Sequence, residues 1–407
     1  MPDKGHIPVK PERMLAELDQ LRRIGGVDKG VRRPAFSDAD IEARIWLATR
    51  MKEAGLDPVA DPWGNLFGLP PGDGPCLLVG SHSDTQPLGG WLDGIYGVAC
   101  GLELARAARE AGRPRIAVVS FQDEEGRFGG LTGSAVWAGA MTEDAADRLT
   151  DAQGTTLAEA RRRAEEIAEV RKVPPTLFSA YVEAHIEQGP VLDSAGETLG
   201  VVEAIVGVRS ATLVFSGEAN HAGTTPMLMR RDAVRGFYRF ATELDAAFAP
   251  LVTGRTVWTL GRIVVEPNAP SIVPGTATVS VQMRDPETAR LDRLLAEALA
   301  VAERIARDEK LDLSVSTGFT ADPVPMDMRM IEALATAAEH VAPGRWRRMP
   351  SGALHDATNV SRVLPSAMLF VPSIGGISHN PDEDTKRADL EAGVLALAEA
   401  IGLLNAA

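Results

Sequence analysis

The sequence predicts an α/β chain in two parts: a larger domain with a mostly parallel sheet and helices on both faces, split by an inserted, smaller ferredoxin-like α+β domain. Three observations predict it. The chain has 407 residues, more than one hydrophobic core normally serves, so two domains are expected. Short apolar runs alternate with helical periodicity through the first half, which is the rhythm of βαβ units. Between about residues 207 and 318 that rhythm gives way to alternating strands around two long amphipathic helices, in the order β-α-β-β-α-β.

The elements follow in turn. Residues 37–54 read as a helix: Ser37 caps it, Ile41, Ile45 and Ala48 share a face, and Gly55 stops it. Residues 76–80 form a continuous apolar run, the pattern of a buried strand. A helix over 94–112, with apolar turns at Val98, Leu102, Leu104 and Ala105, leads to a second buried strand at 116–121. Residues 150–172 are polar with Glu/Arg pairs at helical spacing, a solvated helical excursion, and 180–186 return to strand. The middle of the chain reads as strand 211–215, helix 231–248, strands 256–265 and 277–283, helix 287–308 and strand 311–316. From Pro323 the first texture resumes, with a helix at 328–341 and a strand at 368–371. The expected domains are residues 1–206 with 322–407, and the insertion 207–321.

Composition bounds the function. Hydrophobic residues make up 45% and charged residues 24% of the chain, as in ordinary globular proteins. No apolar run approaches the roughly 20 residues that span a bilayer. Met1–His6 carries no apolar segment after its charges, unlike a secretory leader, so a cytoplasmic protein is expected. Cys76 and Cys100 stand in no metal or redox spacing and fit buried packing in a reducing compartment. The net charge of −14 argues against nucleic acid and anionic membrane as partners. It also means that an anionic small-molecule substrate needs a dedicated basic residue in its site.

Chemistry concentrates where strands end. His82 and Asp84 lie in GSHSDT directly after the 76–80 run, and Asp93 sits between glycines just before a helix. Glu124 and Glu125 follow the 116–121 strand and are closed by Gly126; His185 lies in EAHIEQG, and His379 follows a Gly-Gly turn. Ligands bind at the carboxyl edge of open α/β sheets, so this placement marks a site. Any one histidine at a strand end is more often a hydrogen-bonded structural residue, and an acidic pair is usually solvated surface. Their recurrence at successive strand ends favours the other reading. Imidazole and carboxylate without thiolate suit zinc, manganese, cobalt or nickel. Five candidates, His82, Asp93, Glu125, His185 and His379, exceed what one ion requires and suggest two divalent ions. Asp84 is placed to hold the second nitrogen of His82.

These stretches, with 220–227 (NHAGTTPM), resemble the M20-type metallopeptidase superfamily, and within it the hydantoinase/carbamoylase amidases, over nearly the whole chain. The resemblance implies that His82 and His185 bind one ion, that Glu125 and His379 bind the other, that Asp93 bridges them and that Glu124 is the general base. It implies an inserted lid and dimerisation domain, hence a homodimer. In that domain Arg284 would clamp a substrate carboxylate and His221 would donate to the carbonyl oxygen, with Gln188, Asn268 and His355 as further substrate contacts. The expected reaction is hydrolysis of the linear C–N bond of an N-carbamoyl (ureido) amino acid to amino acid, ammonia and carbon dioxide. The alternatives are an N-acyl amino acid amidase or dipeptidase, an allantoate-type ureide hydrolase, and a metal-free binding protein of the same fold. Three departures fall near the substrate rather than the metals: EEGRF lacks one residue of the usual loop, Ser271 replaces an Asn, and Leu354 and Thr358 replace a Gly and a Gln.

Overall fold

The computed structural model describes residues 7–113 and 115–406; the segment Met1–His6, used above to argue against a leader, lies outside them. The chain divides into two compact units, Met1–Glu203 with Pro325–Ala407, and Ala204–Val324.

The first unit is built on a mixed sheet. At its centre the strands Ser366–Val371, Phe178–Ile186, Cys76–His82 and Ile116–Phe121 lie side by side and parallel. They are buried along almost their whole length, as continuous apolar runs require. The flanks are antiparallel. Leu66–Leu69 pairs with Ile116–Phe121 and hairpins back onto Asp57–Ala60, and Leu199–Ile205 runs against Ser366–Val371. The expectation of a mostly parallel sheet is thus corrected. Asp57–Leu69 reverses over residues 61–65, too short for the helical crossover that a parallel neighbour needs.

The helix Asp38–Glu53 is capped by Ser37, whose hydroxyl accepts from Asp40 N. Its expected apolar face is wrong at one position. Ile45 is exposed, and the side chain buried beside Ile41 and Ala48 is Arg44. The polar excursion forms only a short helix, Leu157–Ala160, and a 3₁₀ turn, Arg161–Glu166. It then adds the two-residue strand Glu169–Val170 in parallel to Asp57–Ala60. Helices Pro11–Leu21, Ile95–Glu110, Met328–Val341 and Arg387–Ala406 are the other long helices of the unit. Among the described residues no helix is long and apolar enough to cross a membrane.

The second unit runs strand Gly207–Ser216, helix Ala233–Phe248, strands Val257–Glu266 and Thr276–Asp285, helix Thr288–Asp308, strand Asp312–Thr317. The sheet order is second, third, first, fourth, antiparallel throughout. Alternate strand residues Ala211, Leu213, Phe215, Ala277, Val279, Val281 and Met283 face a core shared with Phe240, Leu244, Phe248, Leu291, Leu294, Val301 and Ile305 of the two helices. Period-2 strands meeting helices with apolar stripes produce this packing.

Candidate metal centre

The four parallel strands end at one edge, and the candidate residues stand there. His82 closes Cys76–His82 opposite Phe121, and Gln122–Glu125 follow Phe121 directly. His185 lies next to Phe370 in the register of Phe178–Ile186 with Ser366–Val371, and the loop after Val371 carries His379. Asp93 sits in the turn before helix Ile95–Glu110.

His82 and His185 are each oriented through Nδ1. That of His82 lies 3.1 Å from the carbonyl of Asp84 and that of His185 lies 2.9 Å from the carbonyl of Ile186. A carbonyl only accepts, so both rings carry their proton on Nδ1 and present Nε2 inward. The expected partner of His82 was the Asp84 carboxylate. Its Oδ1 stands farther off at 3.6 Å, while Oδ2 accepts from Glu125 N and so ties the acidic loop to the end of the histidine strand.

Asp93 is the hub. Its Oδ1 lies 3.1 Å from His185 Nε2 and 3.6 Å from His82 Nε2; its Oδ2 lies 3.3 Å from His379 Nε2. His379 Nε2 is also 3.4 Å from Glu125 Oε2. His82, Asp93 and His185 form one group whose potential ligand atoms lie within 4.8 Å of one another, and Asp93, Glu125 and His379 form a second. Each group receives a different oxygen of the same carboxylate. Glu124 belongs to neither; its Oε2 faces His82 Nε2 at 3.6 Å. Gln188 Nε2 donates to Asp93 Oδ2 at 2.9 Å, and Gln86 Nε2 donates to Glu125 Oε2 at 2.7 Å.

Opposed charges crowd together in the cluster. Burial alone would lower the imidazole of His82, but the Glu124 carboxylate and then Asp84 and Asp93 lift it well above its usual range. His379, hydrogen-bonded to Asp93, is raised to about 9. Burial pushes Glu125 up to about 7 and Glu124 well above its usual value. Acids and imidazoles packed this closely balance charge with protons that divalent cations would displace. Among the described residues neither group includes a cysteine, and the donors fit divalent ions of the zinc and manganese type.

Local sequence explains the precision. Gly94 has φ +66°, and a Cβ there would lie 2.3 Å from His82 Nε2, so only glycine lets the turn bring Asp93 against the ring. Behind the acidic loop, Arg44 is fully buried. It pairs with Asp40 at 2.9 Å and donates to the carbonyls of Gly64, Ser120 and Phe121. Asp123 accepts from Phe128 N, Gly129 N and Thr132 Oγ1 and closes the EEGRF loop.

Glu183, His185 and His355 form a third group whose potential ligand atoms lie within 4.8 Å of one another, and the remaining candidates stand elsewhere. His355 is buried, with its ring edge-on to His185 at 4.5 Å and its Nε2 2.8 Å from Ser351 Oγ. Thr358 Oγ1 accepts from His355 N. His221, Asn268 and Arg284 belong to the second unit. His221 is exposed, and its Nδ1 accepts from Gly223 N and Thr224 N, which leaves Nε2–H as its free donor. Asn268 is exposed, with φ +53°. Arg284 Nε lies 3.2 Å from Gln282 Oε1. Sequence reasoning missed Gln86, Glu183, Asp356 and Glu383. Glu183 accepts from Ser81 Oγ and Ala357 N; Asp356 is raised to about 8 by burial and then by Glu183. Glu183, two residues before His185, and Asp356, beside His355, were legible only as neighbours of candidates.

The profile of peptidase family M20/M25/M40 matches residues 78–402. An N-carbamoyl-L-amino-acid amidohydrolase of Rhizobium meliloti is 33% identical over 97% of this chain and 96% of its own. An allantoate amidohydrolase of Escherichia coli is 35% identical over 91% and 92%. The crystal structure of a hydantoinase/carbamoylase family amidase from Burkholderia phymatum superposes with a TM-score of 0.92 at 39% identity, covering 98% of this chain and 99% of that one.

Proposed function

The chain belongs to peptidase family M20/M25/M40, and from that premise we propose that it is a metal-dependent amidohydrolase of linear ureido C–N bonds, acting on an N-carbamoyl amino acid. The observation that carries this reading is the division of Asp93, one oxygen toward His82 and His185 and the other toward His379 beside Glu125. On this reading His82 and His185 would hold one divalent ion and Glu125 and His379 a second, with Asp93 available to both. Such a pair, when bound, supplies positive charge that polarises a carbonyl and makes water acidic near neutral pH.

The chain's own residues do the rest. Glu124, half-buried beside the ligands but in neither group, takes the proton of the attacking water and returns it to the departing nitrogen. Cleavage toward the terminal nitrogen releases ammonia and leaves a carbamate, which breaks down to the amino acid and carbon dioxide. The Nε2–H of His221 donates to the carbonyl oxygen as negative charge grows there. Arg284 pairs with the substrate carboxylate and offsets the repulsion of a chain with net charge −14. Asn268 contacts the same substrate, Gln188 supports it next to Asp93, and His355 backs His185 from behind. The second unit serves as lid and dimerisation domain of a cytoplasmic homodimer; two free, buried cysteines suit a reducing compartment.

The relatives named above act on different ureides at nearly equal identity, so an allantoate-type substrate is the second reading. The test is a panel of N-carbamoyl amino acids, allantoate and N-acetyl amino acids, scored by ammonia release. Turnover of the N-carbamoyl compounds is expected. Release of acetate with no ammonia from any ureide would overturn the proposal.

A further inference from the structure

The run Asp382-Glu383-Asp384 looks in sequence like a solvated acidic turn. Its flanking members are exposed, but Glu383 is only 2% accessible. Its Oε1 accepts from Leu92 N and from Asp93 N, both at 3.1 Å. Its Oε2 accepts from Ser378 Oγ at 3.1 Å, and that hydroxyl lies 3.3 Å from Asp93 Oδ2. One carboxylate therefore grips the turn that carries Asp93 and the loop that carries His379, segments some 290 residues apart in the chain. Space has been made for it: a Cβ on Gly90 would stand 2.0 Å from its carboxyl carbon. A buried carboxylate next to another acid is costly, and no surface requirement explains it here.

We propose that Glu383 is a positioning residue for the metal pair, setting Asp93 and His379 at their mutual distance. The inference rests on the metal-binding reading given above. Glu383 governs two of the three residues in the Asp93, Glu125, His379 group and one of the three in the His82, Asp93, His185 group. Its loss therefore weakens the first group more than the second.

The test uses full-length protein stripped by chelator and titrated with Mn²⁺ alone, counting bound ions and their affinities. Wild type is expected to take up two equivalents. Glu383→Ala is expected to hold the first nearly as before and the second roughly 10- to 100-fold more weakly, the usual loss when a group supporting a ligand is removed. Glu383→Gln keeps an oxygen for both backbone donors, so it is expected to restore most of the affinity, which a purely charge-dependent role would not allow. Gly90→Ala, which evicts the carboxylate, is expected to repeat the alanine defect. Should Glu383→Ala fail to fold, Ser378→Ala carries the same comparison with a smaller loss at the second equivalent. Two equivalents bound by Glu383→Ala and Gly90→Ala with wild-type affinity overturn the inference. Wild-type protein that binds no Mn²⁺ sinks the metal reading itself, and the role of Glu383 falls with it.

Discussion

Replacing Glu124 by Gln separates binding from catalysis. The carboxyl lies 3.6 Å from His82 Nε2 and takes no place in either ligand group, so the swap leaves both groups complete. The loop conformation does not depend on the side chain, because the backbone carbonyl of Glu124 accepts from Leu131 N at 2.9 Å and Asp123 holds Phe128 and Gly129. A neutral amide of the same shape fills the same space and removes only the charge and the proton acceptor. What disappears is proton transfer, worth roughly 10²–10⁴ in rate, or about 3–5 kcal/mol at 1.36 kcal/mol per decade. The assay is ammonia release by metal-loaded variant, with bound metal counted on the same sample and thermal melts of the metal-free forms. Expected are an unchanged metal count, a melting temperature no lower than wild type, and kcat/KM reduced by that factor. A fully loaded variant turning over within a few-fold of wild type would exclude Glu124 as the base.

Gly94→Ala places a methyl 2.3 Å from His82 Nε2 at a φ of +66°. A cost of about 1–2 kcal/mol from the backbone alone and weakened uptake of Mn²⁺ are expected; wild-type uptake would show that the turn has room to spare. If Arg284 clamps the substrate as proposed, Arg284→Ala would remove a charge-assisted pair worth about 1.5–3 kcal/mol, and KM for a carboxylate substrate should rise roughly 10- to 100-fold; an unchanged KM removes the clamp. Burial raises Asp61 to about 6 although Asn65 and two backbone N–H groups bond to it. With a folded pKa above the unfolded value, its contribution is fully present below about pH 4 and is lost as pH rises through about 6, some 3 kcal/mol in all. The stability difference between wild type and Asp61→Asn should shrink by that amount from pH 4 to 7, in wild type's disfavour; a difference independent of pH refutes it.

Much of this was legible in the chain because the relevant signals are local. Ser37 caps, apolar runs make buried strands, and a glycine next to Asp93 permits a turn that no other residue fits. The placement of His82, Glu125 and His185 followed from strands ending in polar residues, since parallel strands share one carboxyl edge. What could not be read depends on partners far off in sequence. Arg44 takes the buried place expected of Ile45 because the guanidinium finds carbonyls at Gly64, Ser120 and Phe121, and no periodicity encodes such acceptors. Glu383 looked like surface because its donors, Leu92 N and Asp93 N, lie some 290 residues away. The antiparallel pairing of Asp57–Ala60 with Leu66–Leu69 follows from the brevity of the 61–65 turn, a feature smaller than the βαβ rhythm that surrounds it.

The most direct measurement is anomalous diffraction from crystals grown with Mn²⁺. Two peaks are expected, one beside His82 and His185 and one beside Glu125 and His379, each touched by a different oxygen of Asp93. A single peak, or two that leave Asp93 unligated, would contradict the shared carboxylate on which the chemistry depends.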